Sequence, residues 1–276
     1  MHFDLNSRQS TIARLIYLTI APSAIAVSSL IWPLVSSSSF GRETQLTGEL
    51  VKALKEQSDF NGDGRPGRRQ SGGSRSGCSA ADSTEKLIAL IPSTNLGLTL
   101  KERPTFWFYI PYQADEFHSM RLAIWNDEGQ KIYQVTQASD RVSPGIVSFS
   151  LPTTAEPLKA NAAGQYYDWR FSIYCDNPQI DNPKKIYVQG SIQRVATTST
   201  LKRELELATT PIEKVRVYDK HQIWFDAISE LGNLRLVDRE NRNQEAIAYW
   251  SDLLGRVGLS ELAAQPLINC CQEPEN

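Results

Sequence analysis

The sequence predicts an α+β chain. An N-terminal signal and a flexible linker lead into an antiparallel β-sandwich of about seven strands, and a small C-terminal helical bundle follows. Three observations carry this expectation. Short apolar and aromatic runs recur between residues 87 and 195, separated by turn residues and without helical periodicity. After Val195 the apolar spacing becomes that of helices. Ahead of residue 85 the chain is rich in Gly, Ser and Arg, and such a segment buries too little apolar surface to offset its ordering entropy. The expected divisions are a signal peptide or signal anchor at 1–40, a linker at 41–84, the sandwich at 85–197 and a helical domain at 198–270.

Arg8 and Arg14 precede an uncharged run of 21 residues from Leu15 to Val35. A basic segment followed by an apolar one is the pattern of a secretory signal. The run is also long enough to span a bilayer. Pro22, Pro33 and several serines make it a poor permanent anchor, and Ala24-Ile25-Ala26 or the cluster from Ser36 to Ser39 offers a cleavage site. A cleaved signal is therefore favoured over an anchor. Both readings put the bulk of the chain outside the cytoplasm, in the periplasm or cell envelope, with membrane contact only through this segment.

In the linker, Leu46, Leu50, Val51 and Leu54 have the spacing of one short amphipathic helix. Asp59-x-Asn61-x-Asp63-Gly64 opens like a calcium loop, but its twelfth position is Gln70, where a bidentate carboxylate is needed. Gly62-x-Gly64-x-x-Gly67 has the letters of a dinucleotide fingerprint, yet it contains Pro66, follows no strand and opens no helix. Both read as turn-rich linker.

Strands are expected at 87–91, 106–110, 121–125, 131–136, 146–151, 166–175 and 185–195. Trp169, Phe171 and Ile173 alternate with Arg170, Ser172 and Tyr174, which gives one core face and one wet face. Immunoglobulin topology does not fit: Cys78 precedes the first strand, and Ile173 stands two residues before Cys175. Cys78 and Cys175 are the best disulfide pair in an exported chain, with a free Cys175 thiol as the alternative. Closing a loop of about 100 residues adds about 4.7 kcal/mol in the chain-entropy account. For the adjacent Cys270 and Cys271, an intermolecular bond or free thiols are expected ahead of a strained vicinal bridge.

In the tail, Leu201, Leu205 and Ala208 follow a cap at Ser199 or Thr200. Thr210-Pro211-x-Glu213 combines a capping box with proline in the first turn. Ile223, Ala227, Ile228 and Leu231 make one stripe, and Ala246, Ile247, Trp250, Leu253, Leu254 and Val257 another, with Asn241 as a candidate cap. A shift of 36 residues pairs Val217 with Leu253, Ile223 with Leu259 and Leu231 with Leu267, a faint echo of tetratricopeptide helix pairs.

These motifs also carry a resemblance. Gly72-Gly73-Ser74-Arg75 with Cys78, Leu90-Ile91-Pro92, Pro104 through Tyr112, and Gly145-Ile146-Val147-Ser148 belong to it, as do Trp169-x-Phe171-Ser172-Ile173-x-Cys175-Asp176 and Gly190-x-Ile192-x-Arg194-Val195. So do Ile223 through Ala227, Trp250-x-x-Leu253-Leu254 and Val257-Gly258-Leu259. Over roughly residues 70 to 267 the chain resembles the domain-of-unknown-function family numbered 928, exported proteins found chiefly in cyanobacteria. The resemblance implies export and shared architecture, and it supplies no catalytic residues. Family members often have Gly before the Ile-Trp pair. Gln222 stands there in this chain, which speaks against a sharp helix break.

The 276 residues carry a formal net charge of -2, with 41% hydrophobic and 22% charged residues. That composition is globular and lacks the basic excess of a nucleic-acid binder. No nucleophile elbow, phosphate loop or zinc motif is present, so no cofactor or metal is expected and a non-catalytic role is favoured over an enzyme. Asp115-Glu116-x-His118 reads as a solvated loop, and His221 as a helix-surface residue. The densest aromatic run is 106–112, of which a strand can bury only alternate residues unless both faces are covered. Trp107, Tyr109 and Tyr112, with Trp224, Asp226 and Trp250 of the tail, are the candidate interaction surface. Three functions follow in order: an envelope module docking a protein partner, a polysaccharide-binding sandwich, and an envelope hydrolase whose carboxylates meet only in the fold.

Overall fold

The computed structural model describes residues 60, 64–72, 85–160, 165–238, 240 and 242–271. They lie in one compact unit, Thr47–Asn276. The unit Met1–Leu46, the expected helix at 46–54, the calcium-like Asp59, Asn61 and Asp63, and Cys78 and Asn241 lie outside the described residues.

The seven apolar runs become strands: β1 (Ile88–Ala89), β3 (Thr105–Ile110), β4 (Ser119–Trp125), β5 (Lys131–Ala138), β6 (Gly145–Ser150), β7 (Tyr167–Tyr174) and β8 (Lys185–Arg194). β2 (Leu96–Thr99) is additional. The strands form a three-stranded sheet, β1-β3-β6, and a five-stranded sheet, β2-β8-β7-β4-β5. Pairing is antiparallel except between β2 and β8, which run parallel. The two inner faces are aromatic. Phe108 stacks on Phe171 with centroids 4.0 Å apart, and Phe106 and Phe108 meet Trp169 edge to face. Each such ring contributes about 1.5–3 kcal/mol on burial.

Four helices follow among the described residues: α1 (Ser199–Leu207), α2 (Pro211–Lys220), α3 (Trp224–Val237) and α4 (Gln244–Arg256). The capping box at Thr210 and Glu213 forms as the sequence reads. Two other caps fall elsewhere. Thr198, not Ser199 or Thr200, accepts from Leu201 N–H, and Asn243 accepts from Ala246 N–H. The break between α2 and α3 is sharp despite Gln222, which takes φ 58°. The second half of the 36-residue echo is not a helix pair. After α4 the chain makes a 3-10 turn (Ser260–Leu262) and then, past Pro266, pairs in parallel with β6 through Leu267 and Ile146.

The helices have no core of their own. Trp224, Phe225, Ile228 and Leu231 join the cluster formed by the strands. They cover the three-stranded sheet, so the order of layers is helices, three strands, five strands. Gly232 of α3 lets the ring of Trp107 approach so closely that an added Cβ would stand 2.4 Å from it. The buried pair Asp219–Arg256 ties α2 to α4, with Arg256 donating two bonds and Tyr249 a third.

The expected linker is partly sheet. Arg68 exchanges backbone bonds with Gln189 of β8, and Gln70 bridges Ile88 of β1. Residues 64–72 thus strap the edge where the two sheets meet. Phe60 packs edge to face on Trp224, 4.9 Å away. Cys175 is disulfide-bonded. Cys270 and Cys271 are joined to each other, against the expectation of an intermolecular bond or free thiols. Cys271 adopts φ 68°, a local left-handed turn that accompanies the meeting of adjacent side chains.

Candidate functional site

The side chains singled out as an interaction surface are interior. Trp107 is 2% exposed, Trp224 and Trp250 are 0%, and Asp226 is 1%. The reason is the third layer. β3 has the five-stranded sheet on one side and helices on the other, so both sets of alternating residues are covered. Phe106 and Phe108 face Trp169. Trp107 packs on Trp250 and donates through Nε1 to Ser229 Oγ at 3.1 Å. Tyr109 and Tyr112 are buried under the segment at Glu85, and Tyr109 donates to Glu85 Oε2 at 3.0 Å. Burial, then the bond to Glu85, pushes the Tyr109 hydroxyl up to about 12. Asp226 accepts from Thr99 Oγ1 at 2.7 Å and from Leu100 N–H at 3.1 Å. Burial raises its carboxyl above the ordinary value. These groups are buried, and Trp107, Tyr109 and Asp226 are bonded within the fold.

In the loop Asp115-Glu116-x-His118, Asp115 and His118 are exposed. Glu116 accepts from Gln113 N–H across a 3-10 turn (Ala114–Glu116). His221 and Lys220 both meet Glu204 at 2.7 Å. Lys220, then His221, holds the Glu204 carboxyl below its ordinary range.

The outer face of the five-stranded sheet is different. Along β4, Met120, Leu122 and Ile124 point inward and are fully buried, so Arg121, Ala123 and Trp125 point outward. Register places Arg170 beside Ala123 and Gln189, Ser172 beside Arg121 and Tyr187, and Tyr174 beside Lys185. The result is a ladder of cations on aromatic rings. Arg170 lies 4.8 Å from the Tyr187 centroid and 5.9 Å from that of Trp125. Arg121 lies 4.6 Å and Lys185 5.6 Å from Tyr174. The strap adds Arg68 over Tyr187 at 4.8 Å and Arg65 over Tyr166 at 4.2 Å.

Arg65 is paired with Asp168 at 3.7 Å. Among the described residues Arg68, Arg121, Arg170 and Lys185 meet no carboxylate. Their side chains are nonetheless held. Arg170 donates from Nε and Nη2 to Gln189 Oε1, at 3.2 and 3.0 Å. Arg121 donates to Thr136 Oγ1 and Tyr174 Oη, both at 3.0 Å. Guanidinium groups fixed by stacking and neutral acceptors keep their charge for something else. Two hollows open on this face and share Trp125 and Arg170 as a common wall. One measures about 400 Å³ and runs toward Asp127, Asp168 and Gln189. The other measures about 170 Å³ and is bounded by Arg121, Arg170 and Lys185.

Sequence reasoning missed this site although its signal was present. The alternation of Arg170, Ser172 and Tyr174 marked a wet face, but no single strand showed that the neighbouring cations would align with it.

Residues 70–267 match the family model described as Domain of Unknown Function (DUF928). No curated protein matches the chain.

Proposed function

The chain belongs to the DUF928 family, and we propose that it is an exported, non-catalytic binding module of the cell envelope whose outer sheet face holds an acidic polysaccharide. One observation carries the reading. Arg68, Arg121, Arg170 and Lys185 stand on aromatic rings of one face, with no carboxylate partner among the described residues, in a chain of net charge -2. A flat array of fixed guanidinium groups suits carboxylate or sulfate groups repeated along a polymer. The signal-like segment from Leu15 to Val35 supports delivery to the envelope, where such polymers occur. A protein-docking role loses the exposed aromatic residues on which it rested, since they are buried.

The test is affinity electrophoresis of the purified chain through gels containing polygalacturonate, neutral dextran or no polymer. The chain is retarded by polygalacturonate alone, and added salt weakens the retardation by screening. Arg121→Gln with Arg170→Gln lowers the affinity at least tenfold, since a charge-assisted bond contributes about 1.5–3 kcal/mol. Equal retardation of wild type and double variant sinks the proposal, as does binding to anionic phospholipid vesicles with none to polygalacturonate or to hyaluronan.

A further inference from the structure

We infer that the two hollows are neighbouring subsites of unlike chemistry, fitted to a polysaccharide in which an acidic sugar adjoins a neutral one; this rests on the reading of the outer sheet face as the binding face. The smaller hollow is cationic. Arg121, Arg170 and Lys185 bound it, and each keeps a donor nitrogen that makes no hydrogen bond among the described residues: Arg121 Nη2, Arg170 Nη1 and Lys185 Nζ. No Asp or Glu lines it. At about 170 Å³ it has room for a carboxylate or sulfate group with part of the ring that bears it. Three donors around one small space suit an anion with several oxygens.

The larger hollow is not cationic in that way. Asn126, Gln189, Asp127 and Asp168 line it with Trp125 and Arg170. Asp168 accepts from Ser191 Oγ at 2.6 Å and faces Arg65, while Asp127 accepts from Gln165 at 2.8 Å. Carboxylate oxygens accept from sugar hydroxyls, and an indole ring offers an apolar surface to a sugar face. The same two carboxylates repel a second anion, so the site discriminates by repulsion as well as attraction. Because Trp125 and Arg170 line both hollows, one chain crossing that pair enters both, acidic sugar on one side and neutral sugar on the other.

The experiment compares the full chain on hyaluronan, in which a uronic acid alternates with a neutral amino sugar, and on polygalacturonate, in which every sugar is acidic. Binding is measured by isothermal titration at equal concentration of carboxylate. The inference expects at least a tenfold preference for hyaluronan. Asp127→Asn with Asp168→Asn should shrink that preference to threefold or less by admitting the uniform polymer. Both side chains are exposed, and a melting curve of the double variant verifies folding. Polygalacturonate binding as tightly as hyaluronan overturns the two-subsite inference and leaves the acidic-polysaccharide reading standing. So does a preference that the double substitution leaves unchanged. Failure to bind either polymer overturns both.

Discussion

Gln222 sits between α2 and α3 with φ 58°, a conformation that costs an L-residue about 1–2 kcal/mol and glycine almost nothing. Its N–H still closes the end of α2 by donating to Asp219 O at 2.9 Å. Gln222→Gly keeps that bond and removes the Cβ clash, but gives the unfolded chain more freedom. The expected balance is stabilisation by about 0.5–1 kcal/mol, seen as a higher urea midpoint at unchanged slope. A lower midpoint would mean that the Gln222 side chain contributes more than its backbone strain costs. The residue scale also shows why the aromatic run misled. Alternation in one strand tells which residues part company, not how many layers cover them. Trp107 faces away from the sandwich interior, as the pattern requires, and finds Gly232, Ser229 and Trp250 there. The clue in the sequence was Gly232, a helix-interior glycine with no capping role, whose meaning appears only once the partner ring is known.

At the scale of elements, β2 shows what one strand lacks on its own. Leu96-Gly97-Leu98-Thr99 is short, contains glycine and pairs in parallel with a strand far along the chain. Its stability comes from α3. Phe225 presses on Gly97, and Asp226 accepts from Thr99 and from the backbone just beyond it. That latch has a pH signature. Burial raises the Asp226 carboxyl above its unfolded value, so the folded state holds the proton more tightly. Its contribution is most favourable below the unfolded pKa and is lost as pH rises through the raised folded pKa. The half-buried Glu204, Glu213 and Asp238, all held below their ordinary range, impose the opposite slope. A difference curve separates the two. Asp226→Asn keeps an acceptor for Thr99 and carries no charge, while the neighbouring Lys101, Glu230 and Tyr218 remain. The melting temperature of the variant minus that of wild type should therefore increase from about pH 4 to about pH 7. A flat difference would show that Asp226 titrates as an ordinary carboxylate.

In the whole molecule, the layer order sets the outer face of the five-stranded sheet apart from the helices that seal the core. The divisions expected from sequence, a sandwich and then a helical domain, followed real changes in periodicity. Periodicity could not reveal that Trp224 and Leu231 share one core with the strands, or that residues 64–72 strap both sheets. Those facts depend on long-range pairing, which local composition does not encode. Separation of the two faces has a measurable consequence, because effects at distant sites without shared partners are nearly independent. Gly232→Ala drives a methyl group against Trp107 and should destabilise the fold by about 1–3 kcal/mol. At a temperature where the variant is still folded, its affinity for an acidic polysaccharide should equal that of wild type. Arg170→Gln should do the reverse. Its side chain is half-exposed and makes no ion pair among the described residues, so stability should shift by no more than about 0.5 kcal/mol while affinity falls severalfold. Thermal denaturation and titration of both variants decide the matter. If Gly232→Ala weakens binding as much as it weakens the fold, the helices and the outer sheet face act as one unit, and the binding surface extends beyond the cation ladder.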